Sequence, residues 1–341
     1  MATLTFSMET VTPLFMAGAD PRGQAELRPT SFRGALRYWL RAALGGAIGD
    51  GHGALARLHR EEAEVFGSTD RASPIVLRIP GEPPRTELYR PSRSGMDYLY
   101  WSMAGEKGKG TPPHSLVPVG GRFDLELSLR PVPKVDAAAA ELTLRRAVAA
   151  LWLLLQLGGV GARSHRTAGG LSVAQPERVG DLLFSLKGSD PSQLAQELGN
   201  GLRTVRSIFA ELGAEAPSKP ARFDILHPES CRVWVLGSWP SWEKAADELG
   251  AALREARRRT PADQRLAFGL PMKGVDMGVS RRASPLWLKL SRRRDGGCFA
   301  VATLFYSTLL PVTEGQVPAT RGLSPVESFI QQFKPVEVRY A

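Results

Sequence analysis

The chain has 341 residues, 43% of them hydrophobic, and this length and composition fit about two folded domains. Its formal net charge of +10 favours an anionic partner such as nucleic acid or a membrane surface. The longest apolar run, Ala147–Leu157, is too short to cross a bilayer, and the N-terminus lacks the basic and apolar segments of a secretory signal. We therefore expect a cytoplasmic protein with no membrane partner.

The first half of the chain alternates strand-like and helix-like patterns. Leu4, Phe6 and Met8 alternate with polar residues and predict a strand. A helix is expected to begin at Thr30 or Ser31 as N-cap and to end at Gly45–Gly46. The remaining predictions are strands at 75–79, 123–129, 171–173 and 182–186, helices at 54–66 and 137–157, and an irregular insertion at 80–116 that is rich in proline and glycine.

The second half repeats this order of elements after a helical connector at residues 191–220. Its patterns predict strands at 231–236, 286–290, 299–306 and 336–339, and helices at 242–258, with Ser241 as N-cap, and from Ser324, also as N-cap. Each half then follows the order β-α-β-β-α-β, which is typical of ferredoxin-like domains. We predict an α+β fold of two ferredoxin-like (RRM-like) domains with insertions, at residues 1–190 and 221–341.

Cysteine and histidine usage predicts neither a disulfide nor a metal site. Cys231 and Cys298 are far apart in sequence and form no CxxC motif, so we expect two buried free thiols. The five histidines show no HxxxH or HExxH spacing. We therefore expect no metal and no cofactor.

A stripe of three arginines marks the first predicted helix. Arg33, Arg37 and Arg41 recur every four residues and so share one face, beside the apolar face. No acidic residue lies between Glu26 and Asp50, so this helix offers them no ion-pair partner. The stripe favours phosphate contact, and the alternative is a solvated face paired to nearby carboxylates.

A glycine-rich basic loop follows the strongest predicted helix, at residues 158–171. It contains five glycines, two arginines and one histidine in fourteen residues. Glycine lets a backbone approach a ligand closely, and guanidinium groups suit phosphate, so Gly161, Arg163, His165 and Arg166 are candidate contacts to a polyanion. The alternative of a helix end and a tight turn explains only the first two glycines. No Walker motif is present.

The positive charge is concentrated near the C-terminal end of the sequence. Residues 253–294 contain twelve Lys/Arg and three Asp/Glu, a net +9 in 42 residues. Within this region Lys273, Arg281 and Arg282 are the favoured contacts, whereas the flanking triplets 257–259 and 292–294 are expected to be solvated. Aromatic residues able to stack on bases are Tyr38, Trp39 and Trp101, and the alternative for each is packing.

Catalytic signals are weak throughout the sequence. Asp20 precedes a proline, as turn-forming aspartates often do, and no carboxylate in the loop could orient His165 as a base. No pair of carboxylates stands out, and no GxSxG motif occurs. We therefore predict binding and no enzymatic activity.

Four motifs follow one another along the chain: TPLFMAGADP at 12–21, LRPTSFRGALRYWLRA at 27–42, GGVGARSHR at 158–166, and FGLP with RRASPL at 268–286. Together they resemble the RAMP superfamily (repeat-associated mysterious proteins), and within it the first subunits of the type III-B CRISPR effector, the Cmr complex. The loop departs from the usual pattern of the family at His165 and Ala168.

The resemblance implies two ferredoxin-like domains with RNA bound in the cleft between them. It implies a non-nuclease subunit at the end of the complex, beside the backbone subunit, that contacts the 3′ region of the guide RNA and the matching end of the target RNA. The RNA contacts that it implies are Arg33, Arg37, Arg163, Arg166, Arg281 and Arg282. Two alternatives stay open: a RAMP endoribonuclease that uses Asp20 or His165, and an adaptor whose basic face meets an acidic protein.

Overall fold

The computed structural model describes residues 3–92, 94–105, 110–130, 136–269, 283–308 and 322–341. In the first half the elements are, in chain order, β1 (Thr3–Thr10), α1 (Pro29–Ile48), α2 (Ala54–Phe66), β2 (Ile75–Arg78), β3 (Glu87–Leu88), α3 (Ser94–Tyr100), β4 (Ser115–Leu116), β5 (Arg122–Leu129), α4 (Ala137–Leu157), β6 (Leu171–Gln175), β7 (Arg178–Val179) and β8 (Leu182–Leu183).

The first sheet is antiparallel, with the strand order β2-β5-β1-β6. Alternation along β1 and β5 turns Phe6, Met8 and Leu125 into a core shared with α1 and α4. The opposite face is polar, and there the Ser7 hydroxyl donates to Asp124 at 2.8 Å. β8 pairs with β7 as a separate ribbon, so the strand predicted at 182–186 does not join the main sheet.

The second half contains α5 (Pro191–Phe209), β9 (Cys231–Trp239), α6 (Trp242–Arg259), β10 (Leu286–Arg292), β11 (Cys298–Phe305), α7 (Ser324–Gln331) and β12 (Val336–Glu337). Its sheet is antiparallel, with the strand order β10-β11-β9-β12. The fold is therefore α+β with antiparallel sheets, as predicted. The predicted Ser241 N-cap is confirmed, because its hydroxyl accepts a hydrogen bond from the Lys244 N–H.

Both faces of the second sheet are buried. Leu286 and Leu288 pack into a core with α3, α6 and α7, whereas Val235 and Phe305 on the other face join the core that contains α1, α4 and α5. The core that contains α1, α4 and α5 is therefore shared by the two halves, and the core that contains α3, α6 and α7 is a second one. The connector helix α5 is part of that core, through residues such as Leu198.

Helix α1 is longer at both ends than the sequence predicts. Pro29 occupies the first turn in place of a Thr30 or Ser31 cap, which suits proline because its missing N–H has no partner there. Gly45 and Gly46 lie inside the helix, not at its end. A Cβ on Gly46 would collide with the Leu226 carbonyl, so these glycines permit close packing against residues 223–227.

The predicted irregular insertion at 80–116 contains a helix that belongs to the second core. α3 crosses α6 so closely that a Cβ on Gly95 or Gly250 would overlap the backbone of the other helix. The Asp247 carboxylate of α6 caps α3 by accepting a hydrogen bond from the Gly95 N–H at 2.9 Å. A segment of the first half therefore completes the core of the second half.

The N-cap predicted at Ser324 is wrong. Ser324 is the first residue of α7, and the cap position is Leu323, which makes no side-chain cap. The predicted free thiols are confirmed, since Cys231 and Cys298 are buried and unpaired. Across the described ranges, no helix combines the length and apolar character needed to span a membrane.

Lys289 on β10 is a buried cation at the junction of the halves. It is 2% exposed, and its Nζ donates to the Leu171 carbonyl of β6 at 3.0 Å. Burial lowers the pKa of this amine to about 7, because desolvation disfavours its charged form. The protonation state of Lys289 is therefore coupled to folding near neutral pH.

We expect the Gly250→Ala substitution to lower the free energy of unfolding by about 1–3 kcal/mol, because the added methyl group forces α3 and α6 apart. Urea denaturation measures this effect. Gly34→Ala is the matched control: Gly34 also lies inside a helix, but its Cβ would meet no atom within 4 Å. That control should gain about 0.5–1 kcal/mol. Equal effects of the two substitutions would contradict the close helix crossing.

We expect wild-type stability to rise with pH above about 7, relative to that of Lys289→Met. Between the lowered folded pKa and the ordinary unfolded pKa, the unfolded state binds a proton that the folded state does not. The difference in the free energy of unfolding between the wild type and Lys289→Met rises by at most about 1.4 kcal/mol per pH unit. Urea denaturation from pH 6 to pH 10 checks it, and parallel pH profiles would show that Lys289 is charged in the folded protein.

Candidate nucleic-acid interface

The glycine-rich loop at 158–171 is tied to both halves by backbone hydrogen bonds. On one side the Ala162 N–H donates to the Phe15 carbonyl at 2.8 Å. On the other side the Thr167 N–H donates to the Leu288 carbonyl of β10 at 3.0 Å. The loop therefore lies at the junction of the two sheets, with its backbone largely committed to protein partners.

The glycines of this loop serve backbone packing. Gly158 is the C-cap of α4. Gly161 and Gly169 adopt φ values of 83° and 64°, and a Cβ at either position would collide with the backbone of Phe15 or Val160. Gly161 does not line the cleft described below. The glycines therefore let the loop fold against its neighbours, and the contact predicted at Gly161 stays a prediction.

Two residues of the loop other than glycine occupy the left-handed region, Arg163 at φ 62° and Thr167 at φ 72°. Such conformations cost about 1–3 kcal/mol each and persist only where the surroundings fix them. The Thr167 hydroxyl hydrogen-bonds the Tyr100 hydroxyl at 2.7 Å, and the Thr12 hydroxyl donates to the Thr167 carbonyl at 2.6 Å. The direction of the loop's side chains is therefore set before any ligand arrives.

A cleft of about 260 Å³ opens between this loop, α3 and the turn after it, the end of α6, and residues 268–269 and 283–284. The residues around it combine aromatic rings with arginines, and they are Tyr98, Trp101, Arg163, Ser164, His165, Arg166, Arg257, Phe268, Gly269, Ala283 and Ser284. No carboxylate belongs to this set. The cleft unites Arg163, His165 and Arg166 from the sequence prediction with residues far away in the sequence.

The two loop arginines are held by carbonyl groups. Arg163 Nε donates to the Leu99 carbonyl at 2.7 Å, and Arg166 Nη2 donates to the Phe268 carbonyl at 2.7 Å. Burial lowers the pKa of Arg163, and burial with the neighbouring charge of Arg163 lowers that of Arg166 to about 10. Arg166 is therefore charged at neutral pH, and no carboxylate among the described lining residues balances either arginine.

Arg166 Nη1 is buried and has no hydrogen-bond partner among the residues that the structure describes. An unpaired buried donor costs free energy, more so on a charged group. The cleft thus contains positive charge and hydrogen-bonding capacity that the described protein groups leave unused.

Arg257 is the third arginine of the cleft, and sequence reasoning placed it among solvated charges. Its neighbours Arg258 and Arg259 do behave in that way, since both pair with Glu255, at 2.8 and 2.6 Å. Arg257 instead lines the cleft, and its charge contributes to lowering the pKa of Arg163 and Arg166. Only the helix register of α6 relative to the loop distinguishes it, and that register is not visible in the sequence.

His165 is held by packing and hydrogen bonding. Its ring stacks on Trp287 with centroids 3.6 Å apart, and its Nδ1 lies 3.0 Å from the Ser284 carbonyl. The Trp287 Nε1 in turn donates to the Tyr38 hydroxyl at 3.0 Å. The imidazole forms one wall of the cleft and joins it to the shared core.

Two of the three arginines in the α1 stripe have an acidic partner on another helix, which agrees with the alternative of a face paired to nearby carboxylates. Glu62 of α2 is 3% exposed, and its Oε1 accepts from Arg37 at 2.5 Å and from Arg41 at 3.0 Å. Arg33 Nη2 lies 3.4 Å from the Ile75 carbonyl. The sequence contains no local carboxylate, but the next helix supplies one. None of the three arginines lines the cleft.

Three predicted contacts, Lys273, Arg281 and Arg282, lie outside the described residues. Gly269 and Ala283, the described residues on either side of that stretch, both line the cleft.

Of the three candidate stacking residues, two are packed inside the protein and one is exposed. Trp39 is fully buried, and Tyr38 hydrogen-bonds Asp224 at 2.8 Å within the core. Trp101 is 63% exposed and lines the cleft. Tyr98 joins it there, and the signal for it in the sequence is the concentration of aromatic residues at 98–101, where three of four are aromatic.

The two catalytic candidates, Asp20 and His165, both have structural partners. Those of His165 are Trp287 and Ser284. Asp20 Oδ1 accepts from the Arg22 N–H at 2.9 Å, which is a turn contact. Within the described ranges, no group of three or more His, Cys, Asp or Glu side chains is placed to hold a metal ion.

The RAMP superfamily model matches residues 7–171, which include the first three motifs. The Cmr subunit Cmr1-2 of Pyrococcus furiosus is 32% identical over 187 residues, spanning 49% of this chain and 93% of the relative. The chain belongs to the Cmr1 family of RAMP proteins. The Cmr subunit Cmr1-1 of the same organism is 27% identical over 97% of this chain and 96% of its own length.

Solved structures share the fold of this Cmr1-family chain over nearly its whole length. The crystal structure of Cmr1 from Pyrococcus furiosus, in its apo form, matches with a TM-score of 0.67 and 25% identity over 100% of this chain and 99% of the other. A chain of Type III-B Cmr-beta bound to cognate target RNA and AMPPnP matches with a TM-score of 0.60 and 13% identity. This match covers 97% of this chain and 98% of the other.

We expect Glu62→Gln to lower the free energy of unfolding by about 1–3 kcal/mol, because Arg37 and Arg41 lose a buried counter-charge. Glu64→Gln on the same helix is the control, since Glu64 is exposed and pairs with the exposed Arg71. Its effect should be below about 1 kcal/mol. Urea denaturation compares the two variants, and equal losses would argue against a structural role of the Arg37 and Arg41 pairs.

Proposed function

We propose that this chain is a non-catalytic RNA-binding subunit of a type III-B CRISPR effector complex in antiviral defence. It contacts the 3′ region of the guide RNA and the paired end of the target RNA, in the cytoplasm, beside other Cmr subunits and the backbone subunit in particular. Membership of the Cmr1 family makes the chain a Cmr subunit. The 3′ position rests on the resemblance of its motifs to the first subunits of Cmr complexes.

One observation supports RNA binding most strongly: Arg163, Arg166 and Arg257 surround a cleft whose lining, as far as the structure describes it, includes no carboxylate. Elsewhere in the described structure, arginines such as Arg37 and Arg258 are neutralised by glutamates. Like charges that are brought together in a partly desolvated cleft repel one another. A phosphate backbone relieves this repulsion and takes up the unused donors.

We propose that each half is a ferredoxin-like domain, at residues 1–190 and 221–341, joined by the segment 191–220. The strand orders β2-β5-β1-β6 and β10-β11-β9-β12 support this, because in each sheet the first and third strands of the unit are central. RNA-recognition modules of this class stack bases on aromatic residues of the sheet face. Here the open face of the first sheet presents Ser7, Asp124 and Glu126, and the second sheet is covered on both sides.

The sheet faces are therefore unsuited to RNA, and the cleft between the halves is the favoured surface. The residues of the cleft support binding without chemistry. His165 is stacked on Trp287 and held at Ser284, and Asp20 completes its own turn, so the contacts of both candidates serve the local structure. Arg163 and Arg166 serve as backbone clamps. Lys273, Arg281 and Arg282 remain predicted contacts.

We expect Arg257→Ala to weaken binding of single-stranded RNA and to reduce the slope of log K against log salt by about 0.7, the value for one lost phosphate contact. Arg257 is preferred to Arg163 or Arg166 because those two hold the loop through carbonyl groups. Fluorescence anisotropy of a labelled RNA from 50 to 400 mM salt measures both quantities.

Arg258→Ala is the matched control, because Arg258 is the next residue of the same helix, exposed and paired to Glu255. Its salt slope should equal that of the wild type. A flat wild-type salt profile would overturn the electrostatic account. RNA cleavage by the purified chain that disappears in His165→Ala would favour the endoribonuclease, and normal RNA binding with failed assembly in Arg257→Ala would favour the adaptor.

A further inference from the structure

Trp101 is exposed in a setting that fixes its position. It follows α3 in a short 3-10 turn, and it is 63% exposed, whereas Leu99, Tyr100 and Met103 on either side of it are buried. The Leu99 carbonyl accepts from Arg163, and the Met103 carbonyl accepts from the His114 N–H at 2.9 Å. An indole that burial would stabilise is therefore presented to solvent by a backbone that is anchored on both sides.

The aromatic and charged groups of the cleft are arranged around one small volume. Tyr98 comes from α3, and Trp101 comes from the turn after it. Arg163 and Arg166 come from the loop, and Arg257 comes from α6. The volume of about 260 Å³ lies near the lower end of the range for small-molecule sites, roughly 300–1,000 Å³. A nucleic-acid duplex is too wide to enter such a space, but one base with its phosphate fits.

We propose that this cleft is a site for a single unstacked nucleotide of RNA, with its base on Trp101 and its phosphate on Arg257 and Arg163. The inference rests on the proposed RNA-binding function and adds to it the form of the ligand. The buried and unpaired Nη1 of Arg166 supports it independently, because that donor lacks a partner among the described residues.

The chemistry of the cleft predicts how the site discriminates between single-stranded and duplex RNA. Every base has a π-face, so stacking on an indole tolerates any sequence. Bases inside a duplex are stacked on one another and cannot reach Trp101 without unpairing. The site therefore selects single-stranded RNA, such as an unpaired end, over duplex RNA of the same length.

Trp101→Ala tests the proposal in the full chain, with single-stranded and duplex RNA of equal length as probes. Trp101 is mostly exposed, so this substitution leaves the core intact. We expect affinity for the single strand to fall about ten- to hundredfold, by the same factor at every salt concentration, since stacking involves no phosphate. Affinity for the duplex should stay unchanged. Trp101→Phe should restore most of the loss.

Leu88→Ala is the control, because Leu88 lies in the same insertion, is 53% exposed and does not line the cleft. Single-stranded RNA containing 4-thiouridine should also crosslink to the peptides holding Tyr98, Trp101 and Arg163–Arg166. If wild-type protein binds no RNA at low salt, the proposed function fails, and this inference fails with it. If the protein binds RNA with an Arg257-dependent salt slope but Trp101→Ala binds single strand as the wild type does, only the nucleotide site is wrong.

Discussion

A short stretch of backbone pairing between the glycine-rich loop and β10 fixes the arrangement of the two halves. The Thr167 N–H donates to the Leu288 carbonyl, and the Leu288 N–H donates to the His165 carbonyl. Since the same loop also pairs with Phe15, it clamps both sheets at one place. Within this clamped loop Arg163 and Thr167 adopt left-handed conformations, and Arg163 and Arg166 line the cleft.

Net charge alone does not locate an anion site in this molecule. The chain has a formal net charge of +10, yet many of its arginines form ion pairs with carboxylates, as Arg146 does with Glu61 and Glu211. What distinguishes the cleft is charge that lacks compensation within the described structure and is partly desolvated. Desolvation weakens the screening that water provides. A few partly desolvated arginines therefore attract a phosphate more strongly than a larger number of exposed arginines.

Local patterns predicted most of the regular structure, because periodicity and capping act over a few residues. The helix expected at 137–157 is α4, and the strand pattern at 123–129 is β5. Prediction failed where distant segments decide the outcome. Gly45 and Gly46 do not end the helix but let residues 223–227 pack closely on it, and Arg37 and Arg41 contact Glu62 only when two helices pack. The cleft was half predictable: motif residues 163–166 were recognised, whereas Arg257 and Tyr98 join them only through tertiary packing.

The crossing of α3 over α6 has a consequence for the order in which the chain becomes folded during synthesis. Met96, Leu99 and Tyr100 are translated well before residues 242–259, the helix that covers them. Until that helix emerges from the ribosome, these side chains lack their native cover, and transiently exposed apolar surface promotes aggregation. The first half therefore cannot reach its final state on its own, and the cleft is assembled only when nearly the whole chain is present.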